Sequence, residues 1–159
     1  MNFLLQPNFP HDQANIPFSS IKNEDFLPAF EEAIRLARGR LEAMANDPAP
    51  PSFSNTVEAI EFHKEELEKV SLVFFNLLGA NTNDQMQALA KEISPKLAEF
   101  ANDLLLNEKI FERVKDVYNR REQLGLDAER MQLLEKTFKA FRRNGALLNA
   151  EEKDRLREI

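Results

Sequence analysis

Apolar residues recur three and four positions apart along most of this chain, the spacing that lays one stripe down a helix. The first such stripe, Phe26, Phe30, Ile34, Ala37, Leu41 and Met44, predicts a helix from about Glu24 to Ala45. Pro28 falls in its first turns, where a missing N–H costs little. Gly39 lies in its interior and costs about 1 kcal/mol relative to Ala, which implies close packing there or simple tolerance. A second helix is expected from about Asn55 to Leu78, capped by Ser54 or Asn55 and striped by Val57, Ile60, Leu67, Val70 and Phe74. A third, from about Asp84 to Leu106, carries Met86, Leu89, Ile93, Leu97, Phe100 and Leu104 on one side. Pro95 in its middle predicts a kink near Glu92 to Ser94.

The next helix starts after Asn107 and ends before Gly125, with Ile110, Phe111, Val114, Val117 and Tyr118 as its stripe. A fifth starts after Asp127 and stops at Asn144-Gly145, striped by Met131, Leu134, Phe138 and Phe141. A sixth begins after Asn149, with Glu151 and Glu152 in its first turn and no stop signal before Ile159, as expected of a truncated chain. Two stretches lack the helical period. Residues Asn2 to about Asn23 hold Pro7, Pro10 and Pro17 among scattered apolar residues, so this segment is expected to be extended and to lie against the domain. Asn46 to Phe53, with Pro48, Pro50 and Pro51, reads as a stiff connector. No segment reads as a strand. The pattern therefore predicts an all-α fold: an antiparallel bundle of about six helices with an extended, proline-containing N-terminal segment, residues 1–159 forming one helical domain.

One run departs from the one-sided pattern. From Val70 to Leu78 (Val-Ser-Leu-Val-Phe-Phe-Asn-Leu-Leu) the second helix is apolar on nearly every side. Such a helix is either central to a bundle or faces a protein partner, and the sequence leaves both readings open.

The chain is acidic, with a net charge of −6, which argues against nucleic acid and, more weakly, against an anionic membrane surface. It contains no cysteine, which removes disulfides, thiolate metal sites and a cysteine nucleophile and fits a reducing compartment. No signal-like or membrane-length apolar run is present, so a cytoplasmic location is expected. The basic cluster Lys136, Lys139, Arg142 and Arg143 interleaves with Phe138 and Phe141. Its simpler explanation is a helix C-terminus whose dipole favours cations, with both rings in the core stripe.

Hydrolytic chemistry finds little to work with. A zinc hydrolase needs three ligands and an open position, commonly built on H-E-x-x-H. The two histidines, His11 and His63, begin no such motif, and Leu67 stands where the second histidine after His63 would fall. His63 with Glu66 could offer two ligands on one helix face, but nothing marks a third. Ser19-Ser20-Ile21-Lys22 spells S-x-x-K without its companion motifs. Acidic pairs such as Glu31-Glu32 and Glu65-Glu66 read as solvated helix faces. The expected catalytic, cofactor and metal sites of this chain are therefore none.

Short phrases nevertheless fall in a distinctive order. They are Ile16-Pro17-Phe18, Phe26-Leu27-Pro28-Ala29-Phe30, Pro51-Ser52-Phe53-Ser54-Asn55-Thr56, Val73-Phe74-Phe75-Asn76 and Ala80-Asn81-Thr82-Asn83-Asp84. After these come Leu97-Ala98-Glu99-Phe100-Ala101-Asn102-Asp103, Leu106 to Phe111, Arg120 to Asp127 and Gly145-Ala146-Leu147-Leu148. Together they resemble the N-terminal region of the thimet-oligopeptidase family of zinc peptidases. The phrases around Phe74-Phe75 and Thr82-Asn83-Asp84 are most similar to its bacterial dipeptidyl carboxypeptidase branch. The resemblance implies a mostly helical, channelled enzyme that releases dipeptides from the C-terminus of short peptides. It places zinc on an H-E-x-x-H helix and a downstream Glu in a C-terminal half not present here. It makes these helices channel wall or lid and the catalytic domain their partner. None of the family's zinc-binding or catalytic residues transfers to a position of this chain. The alternative is a self-standing helical interaction module, although no fixed repeat period is found.

Overall fold

The computed structural model describes residues 2–6, 20–80 and 83–144. Among them the regular structure is entirely helical, so the all-α expectation holds. The segments are α1 (Asn23–Ala45), a π-helical turn Phe53–Glu58 leading into the short α2 (Ala59–Phe62), α3 (Glu65–Ala80), α4 (Asp84–Leu105), α5 (Glu108–Asn119) and α6 (Ala128–Arg143). The expected helix after Asn149 and the stretch from Pro7 to Ser19 lie outside the described residues.

Local chemistry explains most boundaries. The Asn107 side chain accepts from the Ile110 N–H and caps α5, and Asp127 does the same for α6 through the Arg130 N–H. Asn144 closes α6, its backbone and side-chain N–H groups both donating to the Ala140 carbonyl. Gly125, at φ +60°, supplies the left-handed residue that turns the chain between α5 and α6. Pro28 and Pro95 sit inside α1 and α4 without dividing them. Each forfeits one backbone bond, a loss that the packing of the buried stripe offsets.

The single helix expected from Asn55 to Leu78 is instead divided. Its cap is Ser52, not Ser54 or Asn55. The Ser52 hydroxyl accepts from the Asn55 N–H while the Asn55 side chain accepts from the Ser52 N–H, so the helical turn begins at Phe53. The helix then breaks at His63-Lys64. Side chains take two carbonyls that would otherwise continue the backbone ladder: His63 Nδ1 donates to Ile60 O, and Arg40 Nη1 donates to His63 O at 3.1 Å.

Contacts divide the chain into two compact units. The first comprises residues 1–39 and 64–98. Its centre is Phe74, fully buried and met edge-on by Phe26 at 5.0 Å and Phe30 at 5.5 Å. Val70, Val73, Ala29, Ala33 and Ile93 are buried with it. Where extended backbone is expected, Phe3–Leu5 forms a 3-10 turn, because the Asn2 side chain caps it, and the turn buries Leu4 and Leu5. The Asn2 side chain anchors that turn, accepting from Leu4 N–H and donating to Asp25 O, each at 2.9 Å.

The second unit comprises residues 40–63 and 99–159. Phe53, Val57, Val117 and Leu134 form a buried cluster, flanked by Tyr118, Leu124, Leu126 and Leu133. Phe111 stacks on Phe138 and Phe141, each at 6.0 Å, and Tyr118 stacks on Phe138 at 3.9 Å.

Two substitutions test this account by chemical denaturation. Phe74→Ala removes a fully buried ring and is expected to lower unfolding free energy by about 3–5 kcal/mol. Leu72→Ala, on the exposed side of the same helix, should change it by under about 1 kcal/mol. A Cβ built on Gly39 meets nothing within 4 Å, so tolerance rather than close packing explains that glycine. Gly39→Ala should raise stability by about 0.5–1 kcal/mol.

Candidate functional site

The residues considered for chemistry do not converge. His63 is buried in the turn after α2, its Nδ1 committed to the Ile60 carbonyl and its ring 5.7 Å from that of Phe100. Because the helix breaks there, His63 and Glu66 do not share one continuous helix face as their spacing suggested. Among the described residues no group of three or more His, Asp or Glu side chains comes together as a metal site. His11 and Ser19 lie outside the described residues, while Lys22 is exposed and paired with Glu24 at 3.7 Å.

The acidic pairs are solvated and ion-paired. Glu31 meets Lys96 at 2.9 Å and Glu65 meets Lys69 at 2.6 Å. Glu32 accepts two hydrogen bonds from Arg35, at 2.7 and 2.8 Å. Hydrogen bonding to that guanidinium, and then its charge, holds the Glu32 carboxyl below its ordinary value. A lowered carboxyl contributes stability above the ordinary carboxylate range and loses it as pH falls through the depressed value. Both groups are exposed, so this pair contributes little.

The basic cluster also dissolves into structure. Phe141 is buried and Phe138 is stacked between neighbours, so neither ring is free to receive a base. Lys139 pairs with Glu135 at 3.3 Å, and Arg142 and Arg143 occupy the last turn of α6.

Two arrangements were not read from the sequence. The first is a row of cations from α5 onward that grips the proline-rich connector. Lys109 Nζ donates to Asn46 Oδ1 at 2.8 Å. Arg113 Nη1 donates to the carbonyls of Asp47 and Ala49, at 2.9 and 3.3 Å, while its Nη2 lies 3.6 Å from the Asp47 carboxylate. Arg120 Nη2 donates to Pro51 O at 2.7 Å. The spacing of Lys109, Arg113 and Arg120 along one helical face is visible in the sequence, but its target is not.

The second is a groove of about 490 Å³ in the first unit, on the outer side of α3. Leu67, Leu72, Phe75 and Leu97 line it, with Lys64 and Glu68 beside them. The Val70–Leu78 run has a buried face and an exposed one. Val70, Val73 and Phe74 are buried, while Leu72 and Phe75 are 55% and 42% exposed. Leu72 and Phe75 thus bring exposed apolar surface to one groove, while Phe62, 67% exposed, does so separately in the second unit.

Comparison with known proteins accords with the order of motifs. No family model matches the chain. It is 40% identical over 157 residues to "Dipeptidyl carboxypeptidase" of Escherichia coli (strain K12), covering 99% of this chain and 23% of that protein. The Salmonella typhimurium protein of the same name is 40% identical over 153 residues, covering 93% of this chain and 22% of the relative. "Oligopeptidase A" of Salmonella typhimurium is 21% identical over 143 residues, covering 90% of this chain and 21% of that protein. The chain thus spans less than a quarter of the length of these relatives and stands nearer the dipeptidyl carboxypeptidases than the oligopeptidase.

The connector clamp makes a direct prediction. Arg113→Met keeps the aliphatic stem but leaves two carbonyls without their charged donor, and should cost about 1.5–3 kcal/mol in urea denaturation. Lys115→Met on the same helix removes an exposed pair with Glu112 and a distant approach of its ammonium to the Phe111 ring, and should stay within about 1 kcal/mol.

Proposed function

We propose that this chain, a homologue of the dipeptidyl carboxypeptidases of the thimet-oligopeptidase family, is the N-terminal helical domain of a zinc metallopeptidase that releases dipeptides from the C-terminus of short peptides. The observation that carries the reading is 40% identity over 99% of the chain. In this reading the chain is wall or lid of a peptide channel and is not itself catalytic. The metal and the water-activating carboxylate belong to the catalytic remainder of the polypeptide, its partner, and the location is cytoplasmic. Nucleic acid and membranes are not among its partners. No helix among the described residues is long and apolar enough to cross a membrane.

The donor set of this chain does not fit catalytic zinc. A peptidase zinc takes three protein ligands and keeps one position for water. The chain has two histidines, no H-E-x-x-H and no cysteine, and among the described residues no three His, Asp or Glu side chains come together. What these helices can contribute is shape: a wall that admits an extended peptide and excludes folded protein.

The alternative, a self-standing helical interaction module, is favoured by the exposed Leu72 and Phe75. The purified chain, loaded with zinc and dialysed, should retain no stoichiometric metal and release no dipeptide from a short peptide. The polypeptide encoded by the gene extended past Ile159 should do both. Dipeptide release by residues 1–159 alone would refute the non-catalytic role, and a reading frame ending at Ile159 would favour the module.

A further inference from the structure

The outer face of α3 is an anchor without a cover. Phe75 is exposed, yet its ring lies 5.1 Å from Phe74 in an edge contact, and Phe74 is itself fixed by Phe26 and Phe30. A partner meeting Phe75 therefore does not have to order a loose side chain, which is the usual loss on binding. Leu72 stands beside it, and Leu67 and Leu97 complete an apolar floor.

The charges of the groove say what kind of occupant it suits. Lys64 and Glu68 line it and are bonded to each other at 2.9 Å, so its one cation and one anion neutralise each other. A short peptide offered as substrate carries a terminal carboxylate, and the described lining of this groove has no net positive charge to meet it. An uncharged apolar segment of protein fits better, in the manner of a helix face laid into a hydrophobic groove.

Two sources could supply such a segment: a second copy of the chain or the rest of its own polypeptide. The relatives are more than four times as long as the matched stretch, which occupies 23% of the Escherichia coli protein. A segment tethered in the same chain acts at an effective concentration on the order of millimolar, far above that of a second copy in solution. We propose that the groove formed by Leu67, Leu72, Phe75 and Leu97 is the docking surface for an apolar segment of the catalytic remainder of the same polypeptide; this rests on the peptidase reading given above.

These 159 residues contain no cysteine, so a thiol introduced among them is read by its own peptide. Leu72→Cys and Phe75→Cys are made separately, in residues 1–159 and in the full-length polypeptide. Maleimide labelling at each introduced thiol is followed by peptide mass spectrometry and normalised to the rate in denaturant. The expected result is labelling at least tenfold slower in the full-length protein than in the 159-residue chain. Equal rates in both would overturn the proposal. So would protection in the short chain that rises with its concentration, which assigns the groove to a second copy. Protection of the full-length protein only on addition of a short peptide would assign it to substrate and also overturn the proposal. As a second variant, Phe75→Glu should lower the unfolding midpoint of the full-length protein by clearly more than that of the short chain, where it removes the edge contact with Phe74 alone; equal losses in both would overturn the proposal. Dipeptide release is measured in parallel on the parent full-length protein. Activity with unprotected thiols sinks the docking surface alone, protected thiols without activity sink the peptidase reading alone, and a reading frame that stops at Ile159 sinks both.

Discussion

The first unit depends on the ring of Phe74. Phe26 and Phe30, one helical turn apart on α1, present themselves to it at 66° and 87°, so two near-perpendicular contacts hold one side chain of α3. Edge-to-face contacts of this kind are worth about 0.5–1.5 kcal/mol each beyond simple burial. They also fix rotation of the helix about its axis. Once Phe74 points inward, Val70 and Val73 follow it, and Leu72 and Phe75 must point outward. The exposed groove is thus a geometric consequence of the core.

The second unit is organised by a different kind of interaction. Pro48, Pro50 and Pro51 leave the connector with few backbone donors but a full set of carbonyls. Those of Asp47, Ala49 and Pro51 accept from Arg113 and Arg120. Apolar stacking of Phe111 and Tyr118 on α6 occupies another part of the same helix. α5 therefore serves core and connector at once, which explains why charge recurs along a helix whose apolar stripe is so regular.

Much of this was legible in the chain because it is written locally. Asn107, Asp127 and Asn144 mark helix ends by bonding to backbone within four residues, and the sequence places those ends correctly. The break at His63-Lys64 was not legible. It depends on Arg40, which is 23 residues distant, and on a histidine ring turning back on its own helix. Periodicity alone carries a stripe from Ile60 to Leu67 straight across it. The groove was half legible: the all-round apolar run announced Leu72 and Phe75, but Leu97 joins them from α4, and no local pattern pairs residues on separate helices. Relatedness to dipeptidyl carboxypeptidase was legible in ordered short phrases, which record ancestry more directly than they record contacts.

The grip on the connector bears on how such chains can diverge. Surface loops ordinarily accept insertions and deletions more readily than the elements they join. Here the cations of α5 and Arg120 bond to main-chain carbonyls, a group that every amino acid carries. Many residues could therefore replace those at 49 and 51 without loss of the donors' partners, whereas Asp47 also gives Arg113 its carboxylate. Adding or removing one residue, however, would slide every carbonyl past its guanidinium. Natural variation in this loop should then be free in composition and narrow in length.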